Sequence, residues 1–202
     1  MMKFRNILLL TALFGFGLSC SDVDQDLLED QQDEIVEFLT EDHSPLLISE
    51  GDVAESLDDD PEFYTTTGTT AYRYIVDYYN ADRLTRTEAK KGDALYLTFW
   101  CYDFSAYKTP SDSYLYFTND PTYETALSES GLNTEYWNFE PVRVVLGAGD
   151  ILKAIENSLI GCREGDFVEI YLTYNVAYGN DWIGVTDLES PIAFFCTIDS
   201  IE

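Results

Sequence analysis

The stretch "PVRVVLGAGDILKAIENSLIGCREGDFVEIYLTYNVAYGND", residues 141–181, decides the fold. It opens on a β-branched run, Val142 to Val145, that breaks into Leu146-Gly147-Ala148-Gly149. Asp150 then stands as an N-cap before Ile151, Leu152, Ile155 and Leu159, whose spacing predicts one face of a short helix. Gly161 supplies the left-handed residue that ends it. In "DFVEIYLTY" the residues Val168, Ile170 and Leu172 alternate with Glu169 and Tyr171, the period of a strand. That strand runs into Ala177-Tyr178-Gly179, a tyrosine held between two of the smallest side chains.

The same alternation recurs on both sides. In "KKGDALYLTFWCYDF" Leu95, Leu97, Phe99 and Cys101 share one face, with Tyr96, Thr98 and Trp100 on the other. In "SPIAFFCTIDSIE" Ile192, Phe194, Cys196 and Ile198 face one way. "AYRYIVDYY", from Ala71, is aromatic and β-branched and reads as a further strand. Residues 103–138 form a polar Tyr- and Thr-rich insertion, long for a loop, with a strand expected around "SYLYF". Several strands and one late helix predict an α+β domain over residues 68–202, an antiparallel sheet wrapped on a single short helix.

The first residues, "MMKFRNILLLTALFGFGLSC", place Lys3 and Arg5 before an apolar run from Ile7 to Leu18, too short for a spanning helix. Residues 1–19 read as a secretory signal peptide. Leu18-Ser19-Cys20 resembles a bacterial lipobox, with Gly17 where that motif usually has Leu. The resemblance implies lipid attachment at Cys20 and a membrane anchor without a spanning helix. The acidic "SDVDQD" that follows resembles the surface-export signal of lipoproteins in Bacteroidetes-like bacteria. An exported lipoprotein of the outer membrane or cell surface is therefore expected.

From residue 21 to residue 72 there is no Lys or Arg, while 17 residues are Asp or Glu. Residues 20–67 accordingly read as a loosely ordered acidic tether, with "SLDDDPEF" and "TTTGTT" as linker. Within it Leu27, Leu28, Ile35, Val36 and Leu39 predict a helix over 25–41, either a stalk or a helix docked on the domain. The Asp22, Asp24, Asp26 alternation fails as a calcium loop. The sixth position, where an EF-hand needs Gly, holds Leu27, and the twelfth, where it needs Glu, holds Asp33. His43, the chain's one histidine, reads as an exposed residue of the tether, which leaves the folded domain without a Ser-His-Asp arrangement. A net charge of -27 with only 11 Lys and Arg argues against a nucleic-acid partner. Cys101, Cys162 and Cys196 have no metal-like spacing, sit among apolar neighbours and are expected as buried single thiols. No cofactor or metal is expected.

In its C-terminal part the chain resembles the FKBP-type peptidyl-prolyl isomerases. The resemblance is carried in order by Leu146-Gly147, the helix from Asp150, Gly165, Ala177-Tyr178-Gly179 and Ile192-Ala193-Phe194-Phe195-Cys196, with "KKGDALYLTF" upstream matching the family's Gly-Asp and central strand. It implies a proline-containing polypeptide as partner. Tyr178 matches the tyrosine whose hydroxyl bonds a ligand carbonyl, and Ile151 the position whose backbone N–H makes a second such bond. Phe194 and Leu152 match pocket walls, and Phe117 the wall aromatic of a Phe-Asp motif. Ile155 stands where the family usually has a Trp floor, Phe99 at a pocket Tyr, Val142 at a wall Phe, and Thr118 at the Asp of that motif. Thr186 takes the place of a wall Ile, with Trp182 or Ile183 expected to fill its space. The implied activity is prolyl isomerisation; the alternative is a non-catalytic peptide- or protein-binding module of the same fold.

Overall fold

The computed structural model describes residues 24–134, 137–183 and 185–202. The signal peptide 1–19 and the lipid attachment at Cys20 lie outside the described residues. Among the described residues the chain is a mixed α/β structure built on one eight-stranded, mostly antiparallel sheet. Its strands are β1 (Ile48–Ser49), β2 (Phe63–Thr67), β3 (Ala71–Ile75), β4 (Ala94–Asp103), β5 (Leu115–Thr118), β6 (Val142–Val145), β7 (Phe167–Leu172) and β8 (Ile192–Ile201). Their order is β1-β2-β3-β7-β8-β4-β5, with β6 also paired to β4. The short β1–β2 pair is parallel.

Period-2 alternation gives this sheet two buried faces. One face presents Leu95, Leu97, Phe99 and Cys101 of β4, Val168, Ile170 and Leu172 of β7, and Ile192, Phe194, Cys196 and Ile198 of β8, as the alternation predicts. Against it packs a helix, Lys153–Leu159, through Ile155 and Leu159. This helix starts two residues later than an Asp150 N-cap predicts. Leu152 occupies the N-cap, while the Asp150 carboxylate accepts from the Val145 N–H at 2.9 Å and closes the turn before it. At the other end Gly161 has φ +82°, the left-handed conformation that glycine adopts without steric penalty. The Arg73 guanidinium donates to the Ser158 and Ile160 carbonyls at 2.9 and 3.0 Å, satisfying acceptors that the helix end leaves open. Among the described residues the three cysteines, Cys101, Cys162 and Cys196, are free, buried thiols.

The opposite face corrects the expected tether. Residues 24–67 are folded onto the sheet. A helix, Gln25–Glu37, continues into a π-helical turn, Phe38–Asp42, and β1 and β2 complete the sheet edge. Asp24 caps the helix by accepting from the Leu27 N–H at 3.1 Å. Ile35, Phe38, Leu39 and Leu47 are buried against Tyr72, Tyr74, Tyr102, Phe104, Tyr171 and Ala193. The acidic side chains of the helix lie on its other face, so charge and a buried stripe coexist. "TTTGTT" likewise is not linker: Thr65, Thr66 and Thr67 belong to β2 and pair with β3. The sheet is covered by a helix on each face rather than by one alone.

His43 is only 6% exposed, not a free polar residue. Its Nε2 lies 2.7 Å from Glu169 Oε2, which also accepts from the Tyr171 hydroxyl at 2.6 Å, and its ring meets Phe38 and Tyr74 edge-on. Burial alone lowers the His43 pKa, but hydrogen bonds to Glu169 and the Pro45 carbonyl, with the Glu169 charge, outweigh it and raise the value above 6.5. The folded state therefore favours the imidazolium. Its contribution to stability is complete below the unfolded value of about 6.5 and is lost as pH rises through the higher folded value. Urea midpoints measured from about pH 6 to about pH 9 are expected to fall in the native chain. In His43→Gln that part of the pH dependence disappears, and an unchanged slope would contradict the pairing.

Candidate functional site

The helices covering the two faces are α1 (Gln25–Glu37) and α3 (Lys153–Leu159), and a short α2 (Glu124–Glu129) lies between them in the insertion. A cavity of about 270 Å³ opens where β4, β5, β6 and β8 meet the N-terminal end of α3. It is lined by Leu97, Phe99, Cys101, Phe117, Val142, Val144, Ile151, Leu152, Ile155, Tyr178, Ile192 and Phe194. Eight of the residues that the resemblance assigns to a pocket, Phe99, Phe117, Val142, Ile151, Leu152, Ile155, Tyr178 and Phe194, line this one space. Its size is near the lower end of small-ligand pockets, roughly 300 to 1,000 Å³, and suits one compact apolar group.

The aromatic wall is built by strand register. Cys101 of β4 pairs with Phe194 of β8, and Phe99 with Cys196, so Phe99 and Phe194 fall on the same face and stack at 5.6 Å with planes 17° apart. Phe117 leans on Phe99 at 5.4 Å and is backed by Trp137 at 4.4 Å. Thr118 turns into the protein, where its hydroxyl donates to the Phe99 carbonyl at 2.7 Å. Asn119 ties the same region together, accepting from the Phe99 N–H at 2.7 Å and donating to the Leu97 and Glu140 carbonyls at 2.8 and 2.9 Å. Trp182 and Ile183 do not line the cavity, and Trp182 is 78% exposed; Thr186 is buried elsewhere.

Tyr178 supplies the lining's one hydroxyl. After β7 the chain winds through a 3₁₀ turn, Tyr174–Val176, and the Gly179 N–H donates back to the Tyr174 carbonyl at 2.8 Å. Gly179 has φ +59°, so a residue without Cβ permits the reversal that leaves Tyr178 at the cavity. The Tyr116 hydroxyl donates to the Tyr178 oxygen at 3.4 Å. Burial raises the Tyr178 pKa above 10, partly offset by this hydrogen bond, so the phenol is protonated at neutral pH. With its oxygen accepting from Tyr116, its own proton is available to a group in the cavity. Cys101 is no competing nucleophile: burial pushes its thiol up to about 12.

Three further residues shape the site and were not legible in the sequence. The buried Glu156 carboxylate on α3 accepts from the backbone N–H groups of Gly147, Gly149 and Asp150 at 3.2, 2.9 and 3.1 Å, pinning the turn that delivers Ile151 and Leu152. Among the described residues the Ile151 and Leu152 N–H groups have no partner. Gln31 of α1 accepts from the Tyr174 N–H and donates to the Glu189 carbonyl, both at 2.8 Å, holding the two ends of the loop that carries Tyr178. Tyr116 lies in the insertion, 62 residues before its partner. Among the described residues no group of three or more His, Cys, Asp and Glu is arranged to hold a metal ion. No protein-family model matches the chain, and no curated protein matches its sequence.

Proposed function

We propose that this chain is a peptidyl-prolyl cis-trans isomerase of FKBP-like fold that assists the folding of exported proteins and is anchored as a lipoprotein through Cys20. The observation that carries this reading is that eight residues matched to the FKBP pattern, from β4, β5, β6, the α3 region, the Tyr178 loop and β8, line one apolar cavity with the Tyr178 phenol at its polar point. Rotation about an X-Pro bond faces a barrier of about 18–20 kcal/mol because twisting removes amide resonance, and no proton transfer or nucleophile is needed. The twisted amide is less polar than the planar one. Walls made by Phe99, Phe194, Ile155 and Leu152 therefore favour it over the ground state. The Tyr178 hydroxyl and the Ile151 N–H hold carbonyls of the flanking peptide and fix the ends about which the bond turns.

The full chain is expected to accelerate isomerisation of a proline-containing peptide. Tyr178→Phe is expected to lower kcat/KM about tenfold, equivalent to about 1.4 kcal/mol of transition-state stabilisation. Phe194→Ala, with the fold checked by circular dichroism, is expected to do at least as much. A rate equal to the buffer control would exclude the enzyme. One observation favours the non-catalytic alternative: Ile155 leaves the cavity floor with a smaller side chain than the indole the family uses, and binding without acceleration would select that reading. For the anchor, palmitate incorporation that persists in Cys20→Ala would defeat the lipoprotein assignment.

A further inference from the structure

Beside the apolar cavity lies a second, larger depression of about 500 Å³ with a different chemistry. Leu152 lines both, and Ala177 lines the second while its neighbour Tyr178 lines the first, so the two share a wall. The second groove is bounded by the turn Thr67–Ala71, by Lys153 and Asn157 on α3, and by Asn175. Lys153 and Asn157 are one helical turn apart and so present their head groups to the same side. Asn175 Oδ1 accepts from the Thr173 hydroxyl at 2.6 Å, which orients its amide and leaves the NH₂ to donate. The opposite rim is braced: the Thr69 carbonyl accepts from Gln32 of α1 at 2.8 Å and the Thr70 carbonyl from the Thr173 N–H at 3.2 Å. Among the described residues Lys153 has no carboxylate partner, in a chain of net charge -27.

We propose that this groove is a specificity subsite of the same cleft, taking an acidic side chain of a polypeptide whose proline occupies the cavity beyond Leu152. It rests on the reading of that cavity as a proline site. The donors facing the groove, an ammonium and two side-chain amides, match a carboxylate. At physiological ionic strength the Debye length is about 8 Å, so the chain's overall negative charge is screened while Lys153 acts at contact distance. An extended chain advances roughly 3.3–3.6 Å per residue, so the acidic residue falls within a few positions of the proline.

The test is fluorescence-anisotropy binding of labelled Ala-Leu-Pro-Ala peptides extended on either side by Glu, Gln or Lys, at physiological salt. The Glu-extended peptide is expected to bind about two- to fivefold tighter than the Gln-extended one, the range of a solvent-accessible ion pair. Lys153→Glu should reverse the preference toward the Lys-extended peptide, and Asn157→Ala should reduce the preference for the Glu-extended one. If all three peptides bind alike, with Tyr178→Phe still weakening each, the subsite is wrong and the proline cavity stands. If a Glu-extended Ala-Leu-Ala-Ala peptide, without proline, binds through Lys153 as tightly as the proline-containing one, the subsite stands and the isomerase reading falls. If none binds, both fall.

Discussion

A chain beginning at residue 63, with the whole sheet from β2 onward retained, is expected not to fold. The deletion removes Ile35, Phe38, Leu39 and Leu47, all buried, and exposes the tyrosines and Phe104 that they cover. Burial of one large apolar side chain contributes about 1.5–3 kcal/mol. Four of them amount to roughly 6–12 kcal/mol, comparable to the whole stability of an ordinary domain, about 5–15 kcal/mol. The functional site suffers as well, because Gln31 no longer bridges Tyr174 and Glu189 and the Tyr178 loop loses its brace. Circular dichroism should show no cooperative thermal transition for the truncated chain. A transition matching that of the full chain would show that α1 is dispensable. Phe38→Ala grades the same effect, with an expected loss of about 3–5 kcal/mol in urea unfolding.

This dependence bears on what could be read from the residues alone. Leu95, Leu97, Phe99 and Cys101, like Ile192 to Ile198, were legible because strict alternation has only one structural meaning when every second residue is aliphatic. The candidate site was reached only through the FKBP resemblance, whose motifs from Val142 to Gly179 run in one collinear stretch. The second face was hidden because its buried residues are Tyr72, Tyr74 and Tyr171, amphipathic side chains that are equally at home at a surface. For residues 24–67, many acidic residues with no Lys or Arg among them outweighed a stripe of only a few apolar positions; mutual repulsion is tolerated there since the carboxylates of the helix stay on the solvent side. Tyr116, Glu156 and Gln31 act on partners that only the folded chain brings near, such as the Tyr116–Tyr178 pair 62 residues apart. No local pattern announces such pairs.

Loss of the Asp166 carboxylate is expected to be as destabilising as loss of a large core side chain. Its side chain is fully inaccessible and accepts from Arg83 Nε at 3.0 Å and Arg83 Nη2 at 2.8 Å, a two-pronged pairing, and from the Arg163 N–H at 2.7 Å, with Arg86 Nη2 at 3.3 Å. Arg83 is itself buried and lies over the Tyr78 ring at 4.5 Å. Asp166→Ala removes one charge and strands two guanidiniums beside each other, one of them away from water. Breaking a buried pair by deleting one partner costs about 3–5 kcal/mol, whereas replacing both by apolar groups is often neutral. Urea unfolding should therefore show a large loss for Asp166→Ala and a substantial recovery in Arg83→Leu/Asp166→Leu. A loss below about 1 kcal/mol, the range of a solvent-exposed pair, would mean that water reaches the cluster. Because these residues sit at the start of β7, away from the residues lining the cavity, peptide binding by the fraction that remains folded should be unchanged. A variant of this pair that altered affinity would instead place the cluster in communication with the Tyr178 loop at the other end of the same strand.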